Sequence, residues 1–220
     1  SPWINNYWGN CNKKNLKNIR TRCGAHFQYK NISVLIDTSP DLKEQFKKNN
    51  LTNVDAVLYT HEHADQTSGI FELRPFFWLN KKKIDIYGSK KTIRELKSKY
   101  DFCFKPKQGY MPIAKEHTIK NNFFLKKGSN KIKISSFEVQ HGLIKATAYV
   151  VDKIAYLSDC SHIPNNSKKY LKNLKFLIID CLKYSSHPGH FNFDTAISIS
   201  KELKPEKTIL TNLHVELDYN

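Results

Sequence analysis

Two histidines one residue apart, His61 and His63, with Asp65 following at the same interval, are the side chains here whose types and spacing point most directly to chemistry. They come straight after Val54-Asp55-Ala56-Val57-Leu58-Tyr59-Thr60, an apolar run that predicts a β-strand. Side chains at i and i+2 point the same way from extended chain and diverge on a helix, so the pair suits a metal held at a strand end. Asp65 continues that parity, and a carboxylate close to two imidazoles completes the shell of a hard or borderline divalent cation. Three more ligand-type residues stand just beyond apolar β runs: His141 after 132–140, Asp159 after 154–158 and His214 after 208–213. Strand ends of a layered α/β protein can converge on one rim, where loops supply groups to a cleft. The expectation is therefore one metal centre served by His61, His63, Asp65, His141, Asp159 and His214. His26 and His117 lack such context and are read as structural, and His162 is read as lying outside the ligand set.

The elements that must position these residues are legible as alternating or continuous apolar runs stopped by polar residues or glycine. Strands are predicted at about 25–37, 54–60, 84–88, 119–125, 131–140, 146–157, 175–181 and 207–213. Helices are predicted at 40–49, which opens with Ser39-Pro40-Asp41, at 89–100 and at 193–203. Antiparallel hairpins join 119–125 to 131–140, and 146–151 to 154–157 across Asp152-Lys153. The class is mixed α and β.

A chain of 220 residues, 40% hydrophobic and 12% aromatic, buries a substantial core and reads as one domain over 1–220. It has no apolar stretch near the roughly 18 residues of a membrane span and no basic-then-apolar leader, so a cytoplasmic protein without membrane attachment is expected. Five scattered cysteines without a C-x-x-C pair exclude a disulfide framework and a thiolate zinc knuckle. Cys160, next to Asp159, is read as a buried packing residue. The net charge of +16 suggests a polyanionic partner, but the basic residues are nearly all Lys, evenly spread, and runs such as Lys81-Lys82-Lys83 read as solvated surface.

The segment Thr60-His61-Glu62-His63-Ala64-Asp65-Gln66-Thr67-Ser68-Gly69-Ile70 resembles the metal-binding signature of the metallo-β-lactamase superfamily. Asn18-Ile19-Arg20-Thr21-Arg22-Cys23, Val34-Leu35-Ile36-Asp37-Thr38-Ser39-Pro40-Asp41-Leu42, Leu73-Arg74-Pro75-Phe76, His187-Pro188-Gly189-His190-Phe191 and 211–219 are similar to its PhnP-like branch of cyclic phosphate phosphodiesterases, which is related to the tRNA 3′-processing endonucleases. The resemblance covers essentially the whole chain. It implies an α+β fold, a four-layer αβ/βα sandwich, with two divalent ions, zinc or manganese, about 3.5–4 Å apart and sharing a nucleophilic hydroxide. By resemblance, His61, His63 and His141 hold the first ion, Asp65 and His214 the second, and Asp159 bridges them. His190 resembles the histidine near the leaving group and is assigned the general-acid role, with His187 assisting. Its neighbour Asn192 stands where a hydroxyl residue is usual. Arg20, Arg22 and Arg74 are three of four arginines, all inside family-like motifs, and are candidate phosphate contacts as well as candidate structural ion pairs.

Gln66 departs from the pattern, which has a histidine ligand there. An amide oxygen is a weaker and harder ligand, so Gln66 implies a weak second site, a manganese-like preference or a place beside the ligand shell. The family pattern also implies an N-terminal apolar strand and a C-terminal continuation, so a partial chain is expected. Cys11 stands alone where the branch has a cysteine-rich structural zinc site, and no structural zinc is expected. The leading function is hydrolysis of a small, cyclic phosphodiester or nucleotide. The alternatives are an RNA-processing endonuclease of the same fold, a thioester or lactone hydrolase, and a non-catalytic metal-binding relative because of Gln66. Nucleic acid is not the favoured partner, and a homodimer is admitted.

Overall fold

The structure, a computed structural model, describes residues 2–107 and 109–220. Contacts divide the chain into two compact units, Gly24–Ser136 and a terminal unit made of Phe137–Asn220 with the N-terminal residues up to Cys23.

In the 24–136 unit, β1 (Ala25–Tyr29) and β2 (Ile32–Ile36) form an antiparallel hairpin with Tyr29 opposite Ile32. This corrects the single strand expected over 25–37. The chain reverses at Lys30, which takes a φ of 52° with neither glycine nor proline to announce it. There follow α1 (Leu42–Lys48), β3 (Ala56–Leu58), α2 (Ala64–Thr67), a 3₁₀ segment Ser68–Leu73, α3 (Arg74–Asn80), β4 (Ile84–Gly88), α4 (Lys90–Lys99), α5 (Asp101–Phe104), β5 (Ala114–Thr118), β6 (Asn122–Lys127) and the first half of β7 (Asn130–His141). β6 and β7 pair antiparallel, as the sequence predicts. The sheet order is β1-β2-β3-β4-β5, with β2 through β5 parallel. Parallel strands are covered on both faces, which is why every residue of β2 is buried.

Because β2 and β3 run the same way, the turns leaving them emerge at one sheet edge, and Asp37 N–H donates to Leu58 O at 3.0 Å. Gly69 fastens the metal motif to that edge. Its N–H donates to Thr38 O at 2.9 Å, and a Cβ there would stand 2.0 Å from Ser39 O, so only glycine permits the approach. Leu35, Val57, Tyr59, Ile70, Leu73, Ile86 and Leu96 form the core beneath. Full burial of each such aliphatic chain contributes about 1.5–3 kcal/mol.

In the terminal unit the end of β7 is followed by β8 (Ile144–Val151), β9 (Ile154–Leu157), β10 (Phe176–Asp180), α6 (Phe193–Leu203) and β11 (Lys207–Thr211). The strands run β11-β10-β9-β8-β7 across the sheet. β9, β10 and β11 are parallel and β8 is antiparallel to β9. β7 and β8 are joined by Gly142 and Leu143 alone, a connection that only an antiparallel pair allows. It follows that β7, β9, β10 and β11 share one direction, and their C-terminal ends bring His141, Asp159, Asp180 and Asn212 to one edge. The core here includes Leu157, Leu177, Ile179 and Ala196, the last presented by α6, which coincides with the expected helix 193–203. No helix among the described residues is long and apolar enough to cross a membrane.

Candidate metal centre

In the 24–136 unit the rings of His61 and His63 lie edge to face, centroids 4.5 Å apart, as i and i+2 residues of extended chain should. A hydrogen-bond chain fixes the state of His61. The buried Asp37 carboxylate accepts from Thr60 N–H and from the Thr60 hydroxyl, both at 2.8 Å. The hydroxyl has thereby donated its only proton, so across its 3.0 Å contact with His61 Nδ1 it acts as acceptor. Nδ1 carries the hydrogen and Nε2 presents the lone pair a metal requires. Between the two histidines, Glu62 is held by an ion pair with Lys91 and by Lys99 Nζ donating to its carbonyl at 2.9 Å. Asp65 departs from the expected extended parity, since it sits in the first turn of α2 with His63 as the capping residue. Gln66 is fully buried and its backbone joins His63 O to Thr38 N–H.

In the terminal unit, His141, Asp159 and His190 offer ligand atoms that all lie within 4.8 Å of one another. His141 Nδ1 donates to Gly189 O at 2.6 Å, so its Nε2 is the lone-pair nitrogen, and that atom stands 4.0 Å from Asp159 Oδ1. A Cβ on Gly189 would come within 3.2 Å of the His141 ring, so the absence of a side chain sets the ring's position. Asp159 takes a φ of 53°, a left-handed conformation that Asp tolerates and that turns the chain sharply off the strand end. His190 is held from behind: its Nδ1 is 2.7 Å from Oδ2 of Asp180, which is fully buried and also accepts from Cys160 N–H at 2.8 Å. Burial pushes the Asp180 carboxyl above the usual carboxylate range, opposed by the hydrogen bond from His190. His187 is exposed, its ring 5.1 Å from that of His190, and its pKa is lowered, first by desolvation and then by the neighbouring positive charges.

His214 stands half-buried beyond the end of β11, Nδ1 3.4 Å from Glu216 and ring edge-on to Trp3 at 5.4 Å. Arg20 secures this segment. Its guanidinium donates to the carbonyls of His214 and Leu217 and to Asn18 Oδ1, at 3.3, 2.6 and 2.7 Å, a structural engagement of the kind named beside phosphate contact for this arginine. Arg22 is exposed, and Arg74 lies over aromatic rings described below. The sequence reading missed Asp37, Thr60 and Asp180 as supporting groups. Asp37 and Asp180 each close an apolar β run just as Asp159 does, so the same signal was available for both.

The donor set fits divalent cations. Two histidines are fixed in the tautomer that turns Nε2 outward, one through a carbonyl and one through a hydroxyl backed by a carboxylate. Imidazole plus carboxylate is the chemistry of zinc and manganese sites. Residues 33–212 match the model of the beta-lactamase superfamily domain, and the chain belongs to that family, as a PhnP-like member of the metallo-β-lactamase superfamily. A solved structure described as a new diphosphatase from the PhnP family is similar over 91% of this chain and 76% of its own, with a TM-score of 0.82 and 30% identity. The short form of human tRNase Z shares the fold, with a TM-score of 0.69 and 17% identity over 88% of this chain and 86% of that one. The octanoyltransferase of Porphyromonas gingivalis is 26% identical over 183 residues, 82% of this chain, and this chain spans only 36% of that protein.

Proposed function

We propose that the protein is a metal-dependent phosphodiesterase acting on a small, cyclic phosphodiester or a nucleotide in the cytoplasm. The observation that carries this reading is the grouping of His141 and Asp159 with a second imidazole, His190, that is backed by a buried carboxylate. His190 presents Nδ1 to Asp180, whose carboxylate stabilises the imidazolium, and in that form Nε2 holds the proton for a departing alkoxide. A lactone or thioester would not call for that device. The diphosphatase relative also supports attack at phosphorus.

The ligands are His61, His63, Asp65, His141, Asp159 and His214, with Gln66 weakening the second of two zinc or manganese sites. When bound, the cations supply ionisation of water and neutralisation of phosphate charge. The chain's own part is to keep the imidazoles in their lone-pair tautomers through Asp37, Thr60 and Gly189, and to aim His190 through Asp180.

Hydrolysis of bis(p-nitrophenyl) phosphate in added Mn²⁺ or Zn²⁺ tests this. Activity is expected in the parent protein and its loss in His63→Ala and Asp159→Ala. A panel of 2′,3′-cyclic nucleotides, cyclic sugar phosphates, dinucleotides and precursor tRNA then ranks substrates, and cleavage confined to precursor tRNA would overturn the small-substrate reading.

A further inference from the structure

The 24–136 unit contains a cavity of about 440 Å³ lined by Phe71, Phe102, Lys107 and Tyr110. Its size lies within the roughly 300–1,000 Å³ of pockets that enclose a small molecule. Phe71 and Phe102 meet edge to face at 5.6 Å, and Phe71 and Tyr110 remain 41% and 48% exposed, so both rings are reachable from solvent. The Arg74 guanidinium lies 5.4 Å from the Phe71 ring centre, 5.0 Å from that of Tyr110 and 5.8 Å from that of Trp78. Among the described residues no carboxylate forms a salt bridge with it, whereas Lys107 is paired with Asp101 at 2.9 Å. Aromatic faces with an arginine among them are what a flat heterocycle carrying phosphate requires: rings stack on the base, and guanidinium stacks or meets the anion. An aliphatic phosphate would find no use for the rings, and a purely apolar ligand none for the cation.

The cavity is tied to the metal motif through hydrogen bonds. The Thr67 hydroxyl donates to His63 O at 2.9 Å and contacts the Tyr100 hydroxyl at 3.1 Å, and Tyr100 is the residue from which α5, carrying Phe102, begins. Phe71 follows Gln66 by five residues, in the 3₁₀ segment that Gly69 anchors.

We infer that this pocket receives the nucleobase of the substrate, with Phe71, Phe102 and Tyr110 as stacking walls and Arg74 as the cation that favours a nucleotide over an uncharged heterocycle, Lys107 being already paired with Asp101. The inference deepens the phosphodiesterase reading by choosing nucleotides within it.

Isothermal titration of the purified protein with AMP and with ribose 5-phosphate, which lacks the base, tests it without turnover. AMP is expected to bind about tenfold more tightly, since a stacked base is worth on the order of 1–3 kcal/mol. Phe71→Ala and Tyr110→Ala, both at exposed positions, are each expected to weaken AMP by roughly tenfold while leaving ribose 5-phosphate unchanged. His63→Ala should preserve the preference for AMP. Equal affinity for the two ligands, or AMP binding indifferent to both ring deletions, overturns the proposal. A parent protein that keeps the AMP preference yet cleaves no phosphodiester would overturn the catalytic reading and leave the pocket standing.

Discussion

His61 can bind a metal in only one of its two neutral tautomers, and what selects it is a carboxylate two bonds removed. Asp37 receives the Thr60 hydroxyl proton, and Thr60 in turn receives that of Nδ1. In Asp37→Asn one oxygen becomes an NH₂ donor, so the hydroxyl can be made to donate to Nδ1 and turn the hydrogen onto Nε2. Metal affinity should fall by about 10–100-fold, read by competition with a chromophoric chelator, with the fold retained by circular dichroism. Gln66 supplies a second test at this scale. It is fully buried directly after Asp65, so Gln66→His should raise bound metal toward two ions per chain in elemental analysis. Unchanged stoichiometry would remove position 66 from the second site.

Among the elements, the helix that follows His190 explains a departure from the family pattern. Asn192 caps α6, its side-chain oxygen accepting from Thr195 N–H at 3.0 Å. Asn, Ser and Thr all perform that task, so the hydroxyl usual at this position and the amide found here are physically equivalent. Urea denaturation should show Asn192→Ser within a few tenths of a kcal/mol of the parent and Asn192→Ala about 1 kcal/mol less stable. The helix itself was fully readable from its apolar spacing, as were the β6–β7 and β8–β9 hairpins. Other elements were not. The β1–β2 reversal rests on a lysine at positive φ, α3 is a run of bulky residues whose Trp78 and Leu79 face solvent, and β5 is a polar edge strand with only Ala114 buried. In α3 and β5 the pattern that marks an element, alternation or a buried stripe, is missing because the element buries little, whereas β1 and β2 read as strand and only the turn between them goes unmarked.

At the level of the whole molecule, burial of titratable groups sets a limit at high pH. Burial, assisted by Asp101, pushes the Cys103 thiol from 9.0 to about 12, and burial, assisted by Asp85, does the same for the Tyr87 hydroxyl from 10.0. Both pKa values are raised on folding, so their contribution is fully present below the unfolded values and is lost as pH rises through about 12. The stability difference between the parent and Cys103→Ala should therefore be constant up to about pH 9 and shrink above it, in denaturation curves collected from pH 7 to 11. A difference independent of pH across that range would show that the thiol titrates alike in both states.

The sequence by itself determined which residues end apolar strands, and with that the family and the candidate ligands. That information is local: a strand's period and its terminating residue can be read without knowing its neighbours. Only the tertiary structure decided that Asp37 stands behind His61, that Asp180 stands behind His190, that Arg20 holds the His214 segment, and that Phe71, Phe102 and Tyr110 enclose a cavity. Hydrogen bonds and ring contacts of this kind depend on which strand or loop lies alongside, and strand order leaves no periodic trace in the chain.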